Sequence, residues 1–329
     1  MTTYDVIGIG NAIVDVIFPT TDEFLLKHMI AKSVMTLIDE YRAAHLIAAA
    51  ENSTENSGGS AANTMAGLAS FGGTGCFVGK VKNDSLGFSF ASDLRGIGVD
   101  YDTDMATSGP STACCVIAVT PDGHRSMSTY LGASRELTSE DINPKQIGSA
   151  SILYVEGYMW DDESCKNAIR KAIAASKGAG RKVAFTLSDP FCVGRYRDEF
   201  LHLMKEDIDI LFANEEEAKA LFEVENFVPA LEAVREWRGL AVITRSEKGC
   251  VVTDPSGHVH VQQAEPVAKV IDTTGAGDAF AAGFMFGLSR DRPLPVCARL
   301  GTIAAAEVIS HYGARPEHSL KALASKAGL

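Results

Sequence analysis

The sequence predicts an α/β fold in which a mostly parallel central sheet is flanked by helices on both faces. Short apolar runs bounded by Gly, Pro, Asn or Asp alternate with longer amphipathic segments along most of the 329 residues, as strands alternate with crossover helices. Some of the short runs, such as 208–212, are apolar apart from a single residue, Asp209, which is typical of strands buried on both faces of a parallel sheet.

Eight segments have the length and composition of strands. In chain order they are 4–10, 75–81, 114–120, 152–156, 182–187, 209–213, 240–244 and 250–253. Helical periodicity is clearest in 165–176, 278–288 and 296–310. The last two segments are rich in Ala and Gly, so we expect them to pack closely against the sheet.

Two regions interrupt this alternation. Residues 14–38 and 106–130 contain strand-like runs at 14–18, 34–38 and 113–119, with few helical residues between them. We therefore expect a small β-sheet, inserted at two points, that forms a lid on the main domain. The predicted division is a large α/β domain of residues 1–13, 39–105 and 131–329, and a discontinuous β lid of 14–38 and 106–130.

The net charge of the chain disfavours a nucleic-acid polymer as a partner. Lys and Arg total 30 against 42 Asp and Glu, a formal net charge of −12, whereas proteins that bind nucleic-acid polymers need a basic surface. No stretch approaches the roughly 20 apolar residues of a membrane span, and residues 1–18 lack the basic region of a signal peptide. We expect a cytoplasmic protein. Its seven cysteines form no CxxC pair, which favours reduced core thiols over disulfides or zinc ligands.

A glycine-rich turn at 269–280 is the strongest candidate for chemistry. A β-type run there leads through Gly275, Ala276 and Gly277 directly into a helix, and the backbone N–H groups at a helix N-terminus attract anions. Asp278 lies beside that position, where a carboxylate can accept a proton from a substrate hydroxyl. The alternative is that Asp278 only caps the helix.

A second small-residue segment begins with Gly58, Gly59 and Ser60 and continues through Asn63 to Gly73. Paired glycines before a helix let a small polar ligand approach the backbone, and the side chain of Asn63 both donates and accepts hydrogen bonds. The alternative is a plain loop with Ser60 as helix N-cap. The glycines at 8–10 do not form a dinucleotide-binding fingerprint, because the third glycine of that motif and the helix that follows it are missing.

In this order and at this separation, the two segments resemble the signatures of the ribokinase-like, or PfkB-type, carbohydrate and nucleoside kinases. The resemblance extends to 7–15 and 212–217, and several stretches are most similar to adenosine kinases. It implies an enzyme that transfers the γ-phosphate of ATP to the ribose 5′-hydroxyl of a nucleoside. The alternatives are a kinase for ribose, fructose or a related carbohydrate, and a catalytically silent binding protein on the same fold.

The resemblance also implies roles for individual residues. Asp278 matches the general base and Gly275, Ala276 and Gly277 the anion hole, while Arg125 matches a lid arginine that reaches the phosphates when the lid closes. The alternative for Arg125 is an ordinary hairpin charge. The residues that match acceptor-binding positions are Asp15, which would bind the ribose hydroxyls, with Asn11, Gly58, Gly59, Ser60 and Asn63 beside it, and Leu131, Tyr158, Met159 and Trp160 near the base. The alternative for the residues near the base is a place in the core.

For the nucleotide, the matching residues are Asn214, Thr244, Ser246 and Gly249 together with Gly275 and Gly277. Glu217 matches a residue associated with Mg²⁺ through water, the alternative being a solvated residue of a first helical turn. Asp272 and Thr274 match the place of a monovalent cation, K⁺. Ser246 departs from the family pattern, which has glycine there. The expected partners are ATP and a small-molecule acceptor, with no nucleic-acid polymer and no membrane, and the chain is expected to be a monomer or homodimer.

Overall fold

The structure, a computed structural model, describes residues 3–329. The described residues form fourteen strands. In chain order they are β1 (Tyr4–Ile9), β2 (Ile13–Pro19), β3 (Met35–Leu37), β4 (Thr54–Gly58), β5 (Gly75–Val78), β6 (Val99–Asp100), β7 (Ala113–Val119), β8 (Arg125–Tyr130), β9 (Ala150–Glu156), β10 (Lys182–Thr186), β11 (Ile210–Asn214), β12 (Leu240–Thr244), β13 (Cys250–Thr253) and β14 (Val259–Gln262).

Twelve α-helices occur in the same residues. They are α1 (Asp22–Lys27), α2 (Glu40–Ala49), α3 (Ser60–Ser70), α4 (Ser85–Gly96), α5 (Pro144–Ile147), α6 (Glu163–Gly178), α7 (Pro190–Glu206), α8 (Glu215–Phe222), α9 (Phe227–Trp237), α10 (Ala276–Leu288), α11 (Leu294–Val308) and α12 (Leu320–Lys326).

The larger sheet has nine strands in the order β14-β13-β12-β11-β10-β9-β1-β5-β6. The strands from β12 to β6 are parallel, and β13 and β14 add an antiparallel edge. The predicted fold class, a mostly parallel sheet flanked by helices together with a small second sheet, is confirmed. The carboxyl ends of these parallel strands lie along one edge, where ligands of open α/β sheets bind.

Two apolar cores cover the two faces of this sheet. On β9, the side chains of Leu153 and Val155 join the core formed with α6, α7, α8 and α9. Ile152 and Tyr154, which alternate with them, join the core formed with α3, α4, α10 and α11. This period of two is the normal alternation of a strand, and burial of each such side chain contributes roughly 1.5–3 kcal/mol.

The smaller sheet has the order β3-β8-β7-β2-β4. It contains the three predicted runs near 14–18, 34–38 and 113–119, but also β4, which the predicted boundaries leave in the large domain. The sequence of β4, TENSG, is polar and its first three residues are exposed, so it lacks the apolar signal of a strand. Helix α2 packs on this sheet through Ala43 and Leu46. The division into a large domain and a lid stays a prediction.

Small residues let three helices approach one another beside the site. A Cβ on Gly67 of α3 would lie 2.8 Å from the Cβ of Ala282 in α10, and one on Gly283 would lie 2.5 Å from the carbonyl oxygen of Leu300 in α11. Both contacts are closer than side chains permit. The Ala- and Gly-rich helices therefore pack against each other as well as against the sheet.

All seven cysteines are buried and free. No helix formed by residues 3–329 is long and apolar enough to cross a membrane.

The close packing of α10 on α11 gives a first prediction. Gly283→Ala introduces a methyl group 2.5 Å from a backbone oxygen, and overpacking of this kind destabilises by about 1–3 kcal/mol. We expect the free energy of unfolding in urea to fall by that amount. Gly194 of α7 has open space at its Cβ position, so the control Gly194→Ala should stabilise by up to about 1 kcal/mol. Equal effects of the two changes would contradict the packing.

Candidate active site

The turn before α10 is built around Gly275. This residue is the N-cap of α10 with φ 75°, and a Cβ there would lie 2.6 Å from the Cβ of Ala314, so both conformation and packing require glycine. No side chain caps the helix. The N–H of Ala276 donates to the carbonyl of Thr273 at 3.2 Å, and a Cβ on Gly277 would meet open space. Apart from the N–H of Ala276, the first turn of α10 is therefore open to an anion.

Asp278 lies in this first turn, facing the start of α3. The Oγ of Ser60 donates to its Oδ1 at 2.6 Å, although the two residues are 218 positions apart. Burial raises the pKa of Asp278 from 3.8 to about 6, while hydrogen bonds from Ser60 and Asn63 oppose the shift. Since Gly275 is the N-cap, capping is not the role of Asp278. A carboxylate with this pKa suits a general base near neutral pH.

The paired glycines at 58–59 bring the backbone against the acceptor side of the site. Gly59 has φ 98° and a Cβ there would lie 2.1 Å from the carbonyl oxygen of Asn11; a Cβ on Gly58 would lie 2.6 Å from Oδ2 of Asp15. Gly59, not Ser60, is the N-cap of α3, so the alternative of Ser60 as a cap does not hold. The hydroxyl of Ser60 is directed at Asp278 instead.

Asp15 lies on β2, between β4 and β7. Burial raises its pKa from 3.8 to about 6, and the charges of Arg315 and Arg125 act in the opposite direction. The structure thus brings Asp15, Asn63 and Asp278 to one side of the site, where a carboxylate can accept hydrogen bonds from neighbouring hydroxyls.

Glu156, at the end of β9, is a site residue that the sequence analysis did not identify. Its Oε1 accepts from the backbone N–H and the Nδ2 of Asn11 at 2.8 and 2.9 Å, and its Oε2 accepts from the N–H of Ala61 at 2.8 Å. Burial raises its pKa from 4.5 to about 7. A single carboxylate therefore holds Asn11 and the N-terminus of α3 in place.

Arg315 is a second residue that was not identified from the sequence. It lies in the segment 309–316 after α11, and its guanidinium donates to Asn63 and to Asp93 of α4. The only available signal in the sequence was a lone arginine between Ala314 and Pro316, which matches no general pattern for a binding residue.

The nucleotide side is a cavity of about 720 Å³ between the antiparallel edge of the large sheet and α10 and α11. Of the residues predicted there, it is lined by Asn214, Thr244, Ser246, Gly249 and Gly277. A smaller cavity of about 90 Å³ lies next to it, with Ser60, Glu217 and Asp278 in its wall. The two share Asn214, Thr244 and Gly277, so the large cavity leads to the carboxylate of Asp278.

Asn214 and Glu217 form a reciprocal cap at the start of α8. The N–H of Glu217 donates to Oδ1 of Asn214 at 2.8 Å, and the N–H of Asn214 donates to Oε2 of Glu217 at 3.0 Å. Glu217 is 5% exposed, so the alternative of a solvated helix residue is wrong. Burial raises its pKa from 4.5 to about 7, and the charges of Asp189 and Asp278 contribute to the rise.

The sequence pattern of the PfkB family carbohydrate kinases matches residues 29–320, more than half of the chain. The chain belongs to the PfkB family.

The relatives of this PfkB kinase include nucleoside and sugar kinases. It is 46% identical to an adenosine kinase from Sinorhizobium meliloti, with a TM-score of 0.89 over 98% of this chain and 99% of the other. A probable sugar kinase from Rhizobium etli is 43% identical, with a TM-score of 0.91 over 100% and 99%. The probable chloroplastic fructokinase-6 of Arabidopsis thaliana is 31% identical over an alignment of 255 residues that covers 72% of this chain and 63% of the plant protein.

These similarities establish a phosphotransferase that acts on a hydroxyl group. The plant fructokinase is longer, and this PfkB kinase spans less than two thirds of its length.

Arg125 connects the small sheet of this PfkB kinase to the turn before α10. Its Nη1 donates to Oδ2 of Asp272, and its buried Nε has no hydrogen-bond partner among the described residues. An unpaired guanidinium N–H beside an anion-binding turn fits the predicted contact with a phosphate. Its predicted role at the phosphates stays a prediction.

The predicted monovalent-cation site at Asp272 and Thr274 is filled by hydrogen-bond donors. The Oδ1 of Asp272 accepts from the N–H and Oγ1 of Thr274, and Oδ2 accepts from the N–H of Gly313 and from Arg125. Burial alone would raise the pKa of Asp272, but these donors hold it below its ordinary value. The monovalent-cation site at Asp272 and Thr274 stays a prediction.

The loop at 246–249 keeps its shape although Ser246 stands where the family pattern has glycine. Ser246 has φ 49°, the left-handed region in which glycine is normal, at a cost of roughly 1–2 kcal/mol. Gly249 has φ 81° and a Cβ there would lie 2.0 Å from the carbonyl oxygen of Gln262. The loop therefore keeps its left-handed turn without the glycine that the family pattern has.

The predicted contacts to a base differ in their exposure. Tyr158 is 38% exposed, whereas Met159 is 2% and Trp160 1% exposed and both lie in the core beside α6 and α7. Their burial means that Met159 and Trp160 are core residues here, and the expected base contact gets no support at either position. Leu131 follows β8 and is partly exposed. For Leu131 and Tyr158 the contact stays a prediction.

Glu156 generates a prediction about stability. In Glu156→Gln an NH₂ group replaces one acceptor, so at least one buried N–H of Asn11 or Ala61 loses its partner, at a cost of about 1–3 kcal/mol. We expect the free energy of unfolding in urea to fall by that amount. The half-exposed Glu199 also accepts N–H donors, from Trp160 and Lys166, and the control Glu199→Gln should cost less than about 1 kcal/mol.

The difference in the free energy of unfolding between wild type and Glu156→Gln should depend on pH in a defined direction. The pKa of Glu156 is about 7 when folded against 4.5 unfolded, so its carboxyl contributes full stability below about pH 4.5 and loses that contribution as the pH rises through about 7. The gap between wild type and Glu156→Gln should therefore narrow over this window. A variant as stable as wild type throughout the window would contradict the role of Glu156.

Proposed function

We propose that this PfkB kinase transfers the γ-phosphate of ATP to the 5′-hydroxyl of a nucleoside, with adenosine as the preferred acceptor. The observation that carries phosphoryl transfer is the meeting of Ser60 and Asp278 at the point where the nucleotide cavity reaches the acceptor residues. The choice of adenosine is supported by the similarity to the Sinorhizobium meliloti adenosine kinase over nearly the full length of both chains.

Asp278 is the general base of the proposed reaction. Its carboxylate takes the proton of the 5′-hydroxyl while the hydroxyl oxygen forms a bond to the γ-phosphorus, and the bond to the β-phosphate oxygen breaks to release ADP. The open N–H groups in the first turn of α10 stabilise the negative charge on the transferring group. Ser60 holds the carboxylate of Asp278 in the direction of the acceptor.

The acceptor is held from the opposite side. Asp15 accepts hydrogen bonds from the two vicinal ribose hydroxyls, a geometry that one carboxylate can satisfy. Asn63 lies one helical turn after Ser60 on α3. The amide nitrogen of Asn11 is already bonded to Glu156, so its side-chain oxygen is the group available to a ligand.

Mg²⁺ would be held by water and phosphate oxygens rather than by a protein cage. Within residues 3–329 there is no group of three or more His, Cys, Asp or Glu that could hold a metal ion, and Mg²⁺ keeps much of its hydration shell. The carboxylate of Glu217 lines the small cavity with Asp278, so it can order that water. When bound, Mg²⁺ neutralises phosphate charge.

A sugar kinase is the second candidate, favoured by the similarity to the Rhizobium etli and Arabidopsis proteins. Asp278, Ser60 and the anion turn would serve a sugar hydroxyl equally well. A silent binding protein would not need a buried carboxylate with a raised pKa at the end of the nucleotide cavity. Cytoplasmic location and a monomeric or homodimeric state stay predictions.

A panel of acceptors tests the proposed function. Purified protein is assayed with Mg·ATP and adenosine, inosine, guanosine, ribose or fructose, and ADP formation is followed. We expect adenosine to give the highest kcat/KM. Efficient phosphorylation of a free sugar with no nucleoside activity would reverse the ranking of the two candidates. If none of the acceptors in the panel supports ADP formation, the kinase assignment is contradicted for both classes.

Asp278→Asn tests the base. The amide cannot accept the proton, so kcat should fall by at least about a hundredfold while acceptor affinity changes little. In the wild type, kcat should decline as the pH falls through about 6, because protonation removes the base. The control Asp254→Asn alters a surface carboxylate beside His258 and should leave kcat unchanged. Near-normal turnover of Asp278→Asn would refute the assignment.

A further inference from the structure

Arg315 contacts three elements of the acceptor site from outside them. Its Nε donates to Oδ1 of Asn63 in α3 at 3.2 Å, its Nη1 to Oδ2 of Asp93 in α4 at 2.8 Å, and its Nη2 to Oγ of Ser57 in β4 at 2.6 Å. The side chain of Arg315 is 19% exposed. The fork of a guanidinium can make three such bonds in fixed directions, which an ammonium cannot.

The bond to Asn63 fixes which end of its amide faces the site. A guanidinium only donates, so the oxygen of the Asn63 amide must face Arg315 and its NH₂ must point away. Asn63 lies one helical turn after Ser60, the residue of α3 that donates to Asp278, so the two side chains share a helix face. The NH₂ of Asn63 is therefore on the side of Asp278, where it helps to lower the pKa of that carboxyl. A flipped amide would present its oxygen to a carboxylate and repel it.

The charge of Arg315 acts on Asp15. Among the charges that hold the pKa of Asp15 down against burial, that of Arg315 is the largest, followed by Arg125. Arg315 itself keeps its place through Asp93, whose Oδ2 also accepts from the N–H of Ser57 at 2.9 Å. The pair with Asp93 thus anchors the guanidinium beside the strand end that leads into Gly58.

We propose that Arg315 is a positioning residue for phosphoryl transfer, which orients the amide of Asn63 so that its NH₂ group faces Asp278. The inference rests on the proposed function, because it assigns Arg315 a task in that same site. Arg315 is not itself in contact with the reacting groups of the proposed reaction, and it acts on them through Asn63.

The test compares Arg315→Met, Arg315→Lys and the control Arg95→Met. Arg95 lies two residues after Asp93 on α4 and donates to the carbonyl of Tyr101, so its loss disturbs the same helix without touching Asn63. Steady-state kinetics with the best acceptor of the panel are measured across the acidic range, and acceptor binding is measured by calorimetry. Urea unfolding of each variant shows whether it is folded.

For Arg315→Met we expect the acceptor KM to rise at least about tenfold, because a hydrogen bond from an acceptor hydroxyl to the ionised carboxylate of Asp15 is weakened or lost. The KM for ATP should stay unchanged. The decline of kcat and of kcat/KM on the acidic side of their pH profiles, called the acidic limbs here, should move to higher pH. The reason is that Asp278 loses the donor from Asn63 and Asp15 loses a nearby positive charge. Arg315→Lys keeps the charge but not the fork of the guanidinium, so it should restore only part of the shift in kcat/KM, in which both Asp15 and Asp278 titrate, and none of the shift in kcat. Arg95→Met should match wild type.

A double-mutant cycle with Asn63→Ala supplies a measurement that does not depend on one variant. If Arg315 acts through Asn63, its replacement should add little to the loss of kcat that Asn63→Ala already causes. A folded Arg315→Met with unshifted limbs, a shift shared by Arg95→Met, or additive losses in the cycle would overturn the inference while the proposed function stands. If Arg315→Met does not fold, Arg315→Lys and the cycle built on it decide by the same criteria. Absence of acceptor binding and phosphorylation by the wild type would overturn both.

Discussion

The approach of the N-termini of α3 and α10 is the constraint on which the site depends. The bond from Ser60 to Asp278 requires both helices to begin at the same place, and each begins after a glycine whose Cβ would collide with a neighbouring backbone or side chain. Farther along, Gly67 of α3 meets Ala282 of α10 without an intervening side chain. Close packing of small residues thus sets the distance between the proposed base and the acceptor residues more firmly than any loop could.

Burial of negative charge is the electrostatic consequence of this arrangement. Asp15, Glu156, Glu217 and Asp278 all have pKa values raised by burial, in a chain whose net charge is already −12. A nucleotide adds further negative charge to such a site. Backbone N–H groups, Mg²⁺ and a few guanidiniums would balance this charge locally, so an acidic protein can hold a single nucleotide although its net charge disfavours a nucleic-acid polymer.

Patterns in the sequence were sufficient for the parts of the site that repeat a general solution. Glycines before a helix signal an anion site and a close backbone approach, so the segments around Asp278 and Ser60 could be found without a structure. Glu156 and Arg315 could not, because each is a single residue whose partners come from distant segments of the chain. The same holds for β4, whose polar residues carry no apolar alternation, and for Met159, which only the packing of the core shows to be buried.

The segment 309–316 joins the two ends of the site. Gly313 donates to Asp272 at the entry to the anion turn, Ala314 packs against Gly275, and Arg315 reaches Asn63. Arg125 approaches the same Asp272 from the small sheet, whose strand β2 carries Asp15. Movement of that sheet would therefore act on the phosphate end and the acceptor end together. Because the groups of the proposed transfer step would serve a sugar as well as a nucleoside, we expect discrimination between acceptors to depend on residues outside α3 and α10, such as those of the small sheet and Tyr158.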